Sequence, residues 1–302
     1  MARRTLSAAV ILVSLLAWPS VAVSPAPAAV ASPAPGPAVA PVAAPPVASF
    51  PPATSRPPTV PDAPPPSAPP REEPRVAVLI YHDVQLEPAG PYTVTPGRLA
   101  ADLRWFLDHG WRPLTLETFR DWMYGGVELA GDWFLLTFDD GYLGWAEHGY
   151  PVLRELGVPA VQFLLTGHLG QANPSGGPPF MSGAQVAAMA ADSLVTFADH
   201  TYDLHGEVSG SPVIGQVSGK AVAKDLDRSR AILAGLTGAP PIALAWPFGA
   251  TTPAAGEVAA ARYDLVFLAE DGFARRGEPH AIRRFGLDWR DPSQLPALFA
   301  PR

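Results

Sequence analysis

Leu135-Leu136-Thr137-Phe138-Asp139-Asp140-Gly141-Tyr142 ends an apolar run abruptly in two carboxylates and a glycine. The run 133–138 reads as a buried strand, and two acids at its end are badly placed for packing, because burying an unpaired carboxylate is costly. Side chains alternate across a strand, but the alternation relaxes where the ladder stops, and Gly141 can take a backbone conformation that other residues resist. Both acids can then reach one site. Two close carboxylates drive each other's pKa apart unless a cation lies between them, so the pair points to one metal ligand and one general base. Taken alone, Asp-Asp-Gly is more often a helix N-cap followed by a polar turn. The rest of the chain decides between the two.

From Arg75 onward, short apolar runs alternate with amphipathic stretches. Strands are expected at 76–81, 112–114, 133–138, 160–165, 194–198, 242–245, 265–268 and 281–285, and helices at 98–109, 114–123, 147–156, 182–189, 220–236 and 253–261. The alternation predicts an α/β fold with a parallel sheet covered by helices, and about seven such units in one domain favour a distorted (β/α) barrel over an open sheet. Functional groups in barrels sit at the C-terminal ends of the strands. The odd polar residues fall there repeatedly. His82 and Asp83 follow the first strand, Asp139 and Asp140 the strand 133–138, Thr166 and His168 the next, His200 the one after, and Trp246-Pro247-Phe248-Gly249 the strand 242–245.

The ends of the chain bound the rest. Of 302 residues, 48% are apolar, enough for a substantial core. Residues 1–24 carry Arg3 and Arg4, an apolar run over 8–18 and small residues at Ala22, Ala26 and Ala28, a pattern expected of a secretory signal peptide, with an uncleaved anchor as the alternative. Residues 25–74 are mostly Pro, Ala, Val and Ser with hardly a charge before Arg71, a disordered linker that cannot build a core. The domain is expected over 75–302. There is no cysteine, so disulfides, a Cys-based metal site and a lipid anchor on an N-terminal cysteine are excluded, and any metal must use His, Asp or Glu. A formal charge of −7 argues against nucleic acid or an anionic membrane surface as partner. The expectation is a monomer, secreted or associated with the cell wall.

His200-Thr201-Tyr202-Asp203-Leu204-His205 carries the second signal. Five residues apart, two imidazoles diverge on a helix and face opposite sides on a strand. If the strand ends at His200 and the chain turns back, both rings converge on one ion. Two His and one Asp then give three protein ligands and leave a position for water, as catalytic zinc sites do.

These residues resemble a known family. Thr137-Phe138-Asp139-Asp140-Gly141 and His200-Thr201-Tyr202-Asp203-Leu204-His205 are similar to the first two motifs of the polysaccharide deacetylases, the NodB-homology or carbohydrate esterase family 4 domain. The likeness runs from about Val76 to Phe285 and includes Tyr81-His82-Asp83, Gly157-Val158-Pro159-Ala160, the lead-in 181–195 and Trp246-Pro247-Phe248-Gly249. The His-x4-His spacing and the Tyr-His-Asp opening are most similar to the branch that de-N-acetylates poly-β-1,6-N-acetylglucosamine.

The resemblance implies a NodB-type barrel in which Asp140, His200 and His205 bind a divalent metal and Asp139 acts as general base. Zinc suits the ligands best, with cobalt, nickel or manganese as alternatives. A water activated with help from Asp139 would attack an acetamide carbonyl that the metal polarises, and the backbone N–H of Phe248, where the family usually has Tyr, would steady the oxyanion. Trp246 and Phe248 would pack on a sugar ring or close the barrel mouth. Tyr142 and His168 are the other expected substrate contacts. The implied activity is removal of N-acetyl groups from an N-acetylglucosamine-containing polysaccharide. Peptidoglycan, chitin or acetylated xylan are alternative substrates, and an inactive carbohydrate-binding protein is the rival reading.

Three departures from the family pattern carry expectations of their own. Asp199 stands where Ser is usual, and a carboxylate there would alter metal choice or raise the pKa of Asp139. The Arg that opens the third motif is absent, Ala245 occupying that region. No Leu-x-His motif supplies a leaving-group acid. His280 precedes its strand and is set aside, so His82 is the candidate, with a structural histidine as its alternative.

Overall fold

The computed structural model describes residues 74–88, 90–173 and 176–300. The expected signal segment and nearly all of the expected linker lie outside them. In chain order the principal elements are β1 (Arg75–Tyr81), α1 (Pro96–Asp108), β2 (Arg112–Pro113), α2 (Leu116–Met123), β3 (Asp132–Phe138), α3 (Tyr150–Leu156), β4 (Ala160–Leu164), α4 (Gly183–Met189), β5 (Val195–Asp199), α5 (Gly219–Thr237), β6 (Ala243–Ala245), α6 (Pro253–Ala260), β7 (Leu265–Phe267), β8 (Phe285–Gly286) and α7 (Leu295–Phe299).

The strands form one parallel sheet in the order β7-β6-β5-β4-β3-β1-β8, with β2 beside the start of β3. Its two ends approach through the last segment: Ile282 bridges to Phe267 of β7, and Phe285 and Gly286 pair with Leu79 and Ile80 of β1. The sheet is therefore a distorted (β/α) barrel. Period-two alternation builds two apolar layers from the same strands. Val76, Val78, Leu135, Phe163, Ala245 and Phe267 belong to the inner one, which α2 joins with Phe119 and Trp122. Ala77, Leu79, Leu136, Phe138 and Phe197 face outward and pack with Leu103, Phe106, Leu153 and Val186 of the helices. Among the described residues no helix is long and apolar enough to cross a membrane.

Two elements differ from expectation. The helix expected over 147–156 begins as a π-helical turn, Trp145–Gly149, before α3. Pro151 lacks an N–H for the α-helical ladder, and the Tyr150 N–H reaches back to the Trp145 carbonyl instead. The last strand, expected over 281–285, splits into the single bridge at Ile282 and β8. Arg284 stands in the break, its side chain fully buried.

Candidate active site

The catalytic end of the barrel is set by where each strand stops. Trp133, Leu135 and Thr137 share one face of β3, and Asp139 continues that face. Its carboxylate accepts both branches of the Arg284 guanidinium, Nη1 to Oδ1 and Nη2 to Oδ2, each at 2.8 Å. Arg284 also donates through Nε to the Leu268 carbonyl and through Nη1 to Thr137 Oγ1, so the buried cation is held by hydrogen bonds beyond its ion pair. Burial alone would raise the Asp139 pKa, but the guanidinium together with the His200 and His82 imidazoles outweighs it and holds the carboxyl below its ordinary value.

Strict alternation would send Asp140 to the other face. A left-handed backbone, φ +72° at Asp140 followed by +84° at Gly141, turns it back instead. Thr201 and Phe248 also have positive φ, at +79° and +58°, so three of the four such non-glycine residues among the described residues belong to or adjoin the site. At Thr201 the turn brings His205 round to His200. Asp140 Oδ1 lies 3.4 Å from His200 Nε2 and 3.3 Å from His205 Nε2. Among the described residues these three side chains are the one cluster with metal-ligand spacing, their ligand atoms all within 4.8 Å of one another.

Two observations test whether the cluster fits a metal. Asp140 Oδ1 is buried and has no hydrogen-bond partner, an arrangement that is costly unless a cation completes it. His200 Nδ1 donates to the Ala245 carbonyl at 2.8 Å, which fixes the tautomer with its Nε2 lone pair toward Asp140, as metal-bound imidazoles require. Ala245, in place of an expected Arg, thus contributes through its backbone. Burial would raise the Asp140 pKa, but the neighbouring His200, His205 and His82 imidazoles lower it. Burial lowers His205. A carboxylate and neutral imidazoles are the protonation states that bind metal.

A cleft of about 340 Å³ opens over these groups, lined by His82, Tyr92, Tyr142, Trp246, Phe248, Arg284 and Trp289 among others. His82 Nδ1 donates to Asp288 Oδ2 at 2.8 Å. Burial would lower the His82 pKa, but the Asp288 hydrogen bond and charge, with the Asp140 and Asp139 charges, raise it to about 9. Phe248 is 48% exposed and stands against the His205 ring at 4.5 Å. Trp246 is 1% exposed and packs with Leu226, Ile214 and Tyr263, so it forms wall rather than platform. Tyr142 stacks on Phe180 at 5.1 Å. His168 lies outside the cleft lining: its Nε2 meets Asp203 Oδ1 at 3.0 Å and its ring lies beside Phe180. Asp199 points away from the metal cluster. It follows Ala198 on the outward face of β5, where Ser229 and Tyr263 hydroxyls and the Thr201 N–H donate to it, and burial pushes its pKa up to about 6.

Four residues of the site have no counterpart among the sequence expectations: Arg284, Asp288, Tyr92 and Trp289. Tyr92 and Trp289 stand 5.0 and 5.9 Å from the His82 ring, both exposed on the same rim. Gly286 makes room for Trp289, since a Cβ there would lie 1.6 Å from the indole. Asp288 was legible in principle, being three residues past the expected last strand where catalytic groups collect.

Comparison with known proteins agrees with this geometry. Residues 127–265 match the polysaccharide deacetylase family model. A poly-β-1,6-N-acetyl-D-glucosamine N-deacetylase of Staphylococcus epidermidis is 30% identical over 160 residues, 52% of this chain and 54% of the relative, and the Staphylococcus aureus proteins of that name are 26–27% identical over the same length. The chain spans about half the length of the curated relatives it matches. The solved structure of IcaB from Ammonifex degensii superposes with a TM-score of 0.67 at 29% identity, covering 74% of this chain and 94% of that one. A de-N-acetylase from Aggregatibacter actinomycetemcomitans, at 22% identity and TM-score 0.62 over 70% and 94%, shares the fold.

Proposed function

We propose, from the premise that this chain carries a polysaccharide deacetylase domain, that it is a metal-dependent hydrolase removing N-acetyl groups from poly-β-1,6-N-acetylglucosamine outside the cell. The observation that carries the metal dependence is the buried, partnerless Asp140 Oδ1 facing two imidazole nitrogens. Asp140, His200 and His205 would hold the ion, zinc for preference. When bound, it supplies Lewis-acid polarisation of a carbonyl oxygen and acidifies water.

The chain's own residues do the rest. Arg284 keeps Asp139 ionised, so Asp139 enters the reaction as a proton acceptor for the attacking water. The Phe248 backbone N–H donates to the oxygen that gains charge as the acetamide carbon becomes tetrahedral. His82, held protonated by Asp288, gives its proton to the departing sugar nitrogen. Tyr92, Trp289 and Phe248 offer apolar faces for the sugar rings on either side. The rival of an inactive binding protein rests on Asp199 and on the want of an acid; against it stand the direction of Asp199, away from the three ligands, and the His82–Asp288 pair, which would supply the acid. Acetate release from β-1,6-linked N-acetylglucosamine oligomers, measured beside chitin and peptidoglycan oligomers, tests the substrate. Faster release from either of the latter two would reassign it.

A pH dependence follows from His82. Its folded pKa, about 9, exceeds the ordinary 6.5, so the proton is held below 9 and lost as pH rises through it. The stability contributed by the His82–Asp288 pair is likewise fully present below 6.5 and lost on rising through 9. In Asp288→Asn the raising partners weaken while burial remains, and the basic limb of kcat/KM is expected to move down by about 2 pH units. A limb that stays where the parent's lies would remove His82 from the acid role.

A further inference from the structure

Between His200 and His205 the chain is neither helix nor strand, and each of its four intervening backbone N–H groups donates to a side-chain oxygen. Thr201 N–H donates to Asp199 Oδ1 at 2.7 Å, and Leu204 N–H to Thr201 Oγ1 at 3.1 Å. The first acceptor is the last residue of β5 and the second belongs to the turn itself. The middle two, Tyr202 N–H and Asp203 N–H, donate to Oδ1 and Oδ2 of one carboxylate, Asp225, at 2.8 and 3.0 Å. Asp225 comes from α5, and one turn further along the same helix Arg228 lies over the Tyr202 ring with its Cζ 3.6 Å from the centroid. Consecutive N–H groups curled around an anion form a nest that fixes the backbone locally.

The three presumed ligands are not held alike. Asp140 is set by the end of β3, and His200 by β5 and by its bond to the Ala245 carbonyl. His205 hangs at the far end of the turn, its side chain 24% exposed. On the opposite side of the turn, Gly167 approaches so closely that a Cβ there would lie 2.4 Å from the Tyr202 carbonyl oxygen, and its N–H donates to that oxygen. The turn is thus pinned between the strand-end loop at Gly167 and the carboxylate of α5.

We propose that Asp225 is a positioning residue for the metal centre: by holding the Tyr202 and Asp203 N–H groups it sets where His205 stands relative to His200 and Asp140. This rests on the metal-site reading above. Both Asp225 oxygens accept from backbone N–H groups of the turn, so it acts on the ligands through the turn. A cap that merely stabilised the fold would lower thermal stability and leave metal affinity alone, whereas a positioning residue changes affinity.

The test is Zn²⁺ affinity by competition with a chromophoric chelator, with the visible absorption of the Co²⁺ form as a second readout, on the parent, Asp225→Ala, Asp225→Asn and Asp227→Ala. Asp227, also on α5, gives its two oxygens to Arg262 and not to the turn, so it controls for loss of a surface carboxylate. Asp225→Ala is expected to bind Zn²⁺ roughly 10–100-fold more weakly, with an altered Co²⁺ spectrum. Asp225→Asn, which keeps one acceptor oxygen, should lose less and carries the test if the alanine variant does not fold. Asp227→Ala should bind as the parent does. Parent-like affinity in the folded Asp225 variants, or an equal loss in Asp227→Ala, would overturn the inference. A parent that binds neither ion would overturn the metal site itself, and this inference with it.

Discussion

In Asp139→Asn, acetate release is expected to fall by roughly 10²–10⁴-fold while Zn²⁺ binding stays close to the parent's. The three side chains proposed to hold the ion are untouched, and Asp140 takes its direction from its own left-handed backbone rather than from its neighbour. What disappears is the proton acceptor. The variant also faces the Arg284 guanidinium with an amide that offers one acceptor where the carboxylate offered two, so a loss of about 3–5 kcal/mol in stability is expected from a buried charge left without its counter-ion. Metal affinity and acetate release must therefore be compared at a temperature where the variant is folded. A variant that keeps near-parent turnover would remove Asp139 from the role of base.

The second large effect is Arg284→Met. Arg284 and Asp139 are both buried, so removing the cation leaves a carboxylate stranded in the barrel, again at about 3–5 kcal/mol. The sign of the pH dependence reverses. In the parent the folded Asp139 pKa is depressed, so the stability it contributes is present above the ordinary carboxylate pKa and is lost as pH falls through the folded one. Without Arg284 burial raises that pKa, and the acidic limb of activity is expected to climb toward neutrality. Denaturation measurements on both single variants and on Asp139→Asn/Arg284→Met close a cycle. The double variant should be more stable than the sum of the singles implies, by about 0.5–3 kcal/mol, because neither charge is then stranded. Strict additivity would mean that the pair is not coupled in solution.

How much of this was legible in the sequence depends on which physical rule governs each residue. Strand ends were readable, because apolar runs stop where polar groups begin; that placed Asp139, Asp140, His82 and His200 at one end of a parallel barrel. His205 required a turn that no periodicity describes, and the His-x4-His spacing excluded the regular alternatives. Asp199 was misjudged for a reason alternation could have corrected. It is next to His200 on a strand, so the two must face opposite sides of the sheet, and Asp199 meets α5 and Tyr263 rather than the ion site. Arg284 was not legible, because the family pattern puts its guanidinium just before Trp246, where this chain has Ala245. It arrives 145 residues after Asp139, from a break between Ile282 and β8 that reads as one continuous strand. Tyr92 and Trp289 are rim aromatics in irregular chain: the short pairing of Asp83 and Val84 with Thr93 and Val94 brings Tyr92 to His82, and the closure of the barrel by β8 brings Trp289.

The most direct single measurement is acetate release from β-1,6-linked N-acetylglucosamine oligomers by the full chain, as purified, after chelation and after return of Zn²⁺ or Co²⁺, with bound metal quantified at each stage. The expected result is activity that disappears with the metal and returns in proportion to about one ion per chain, and an Asp140→Ala variant that recovers neither. Release that persists in fully stripped protein, or metal that still binds tightly to Asp140→Ala, would contradict the assignment of Asp140, His200 and His205 as the centre of the chemistry.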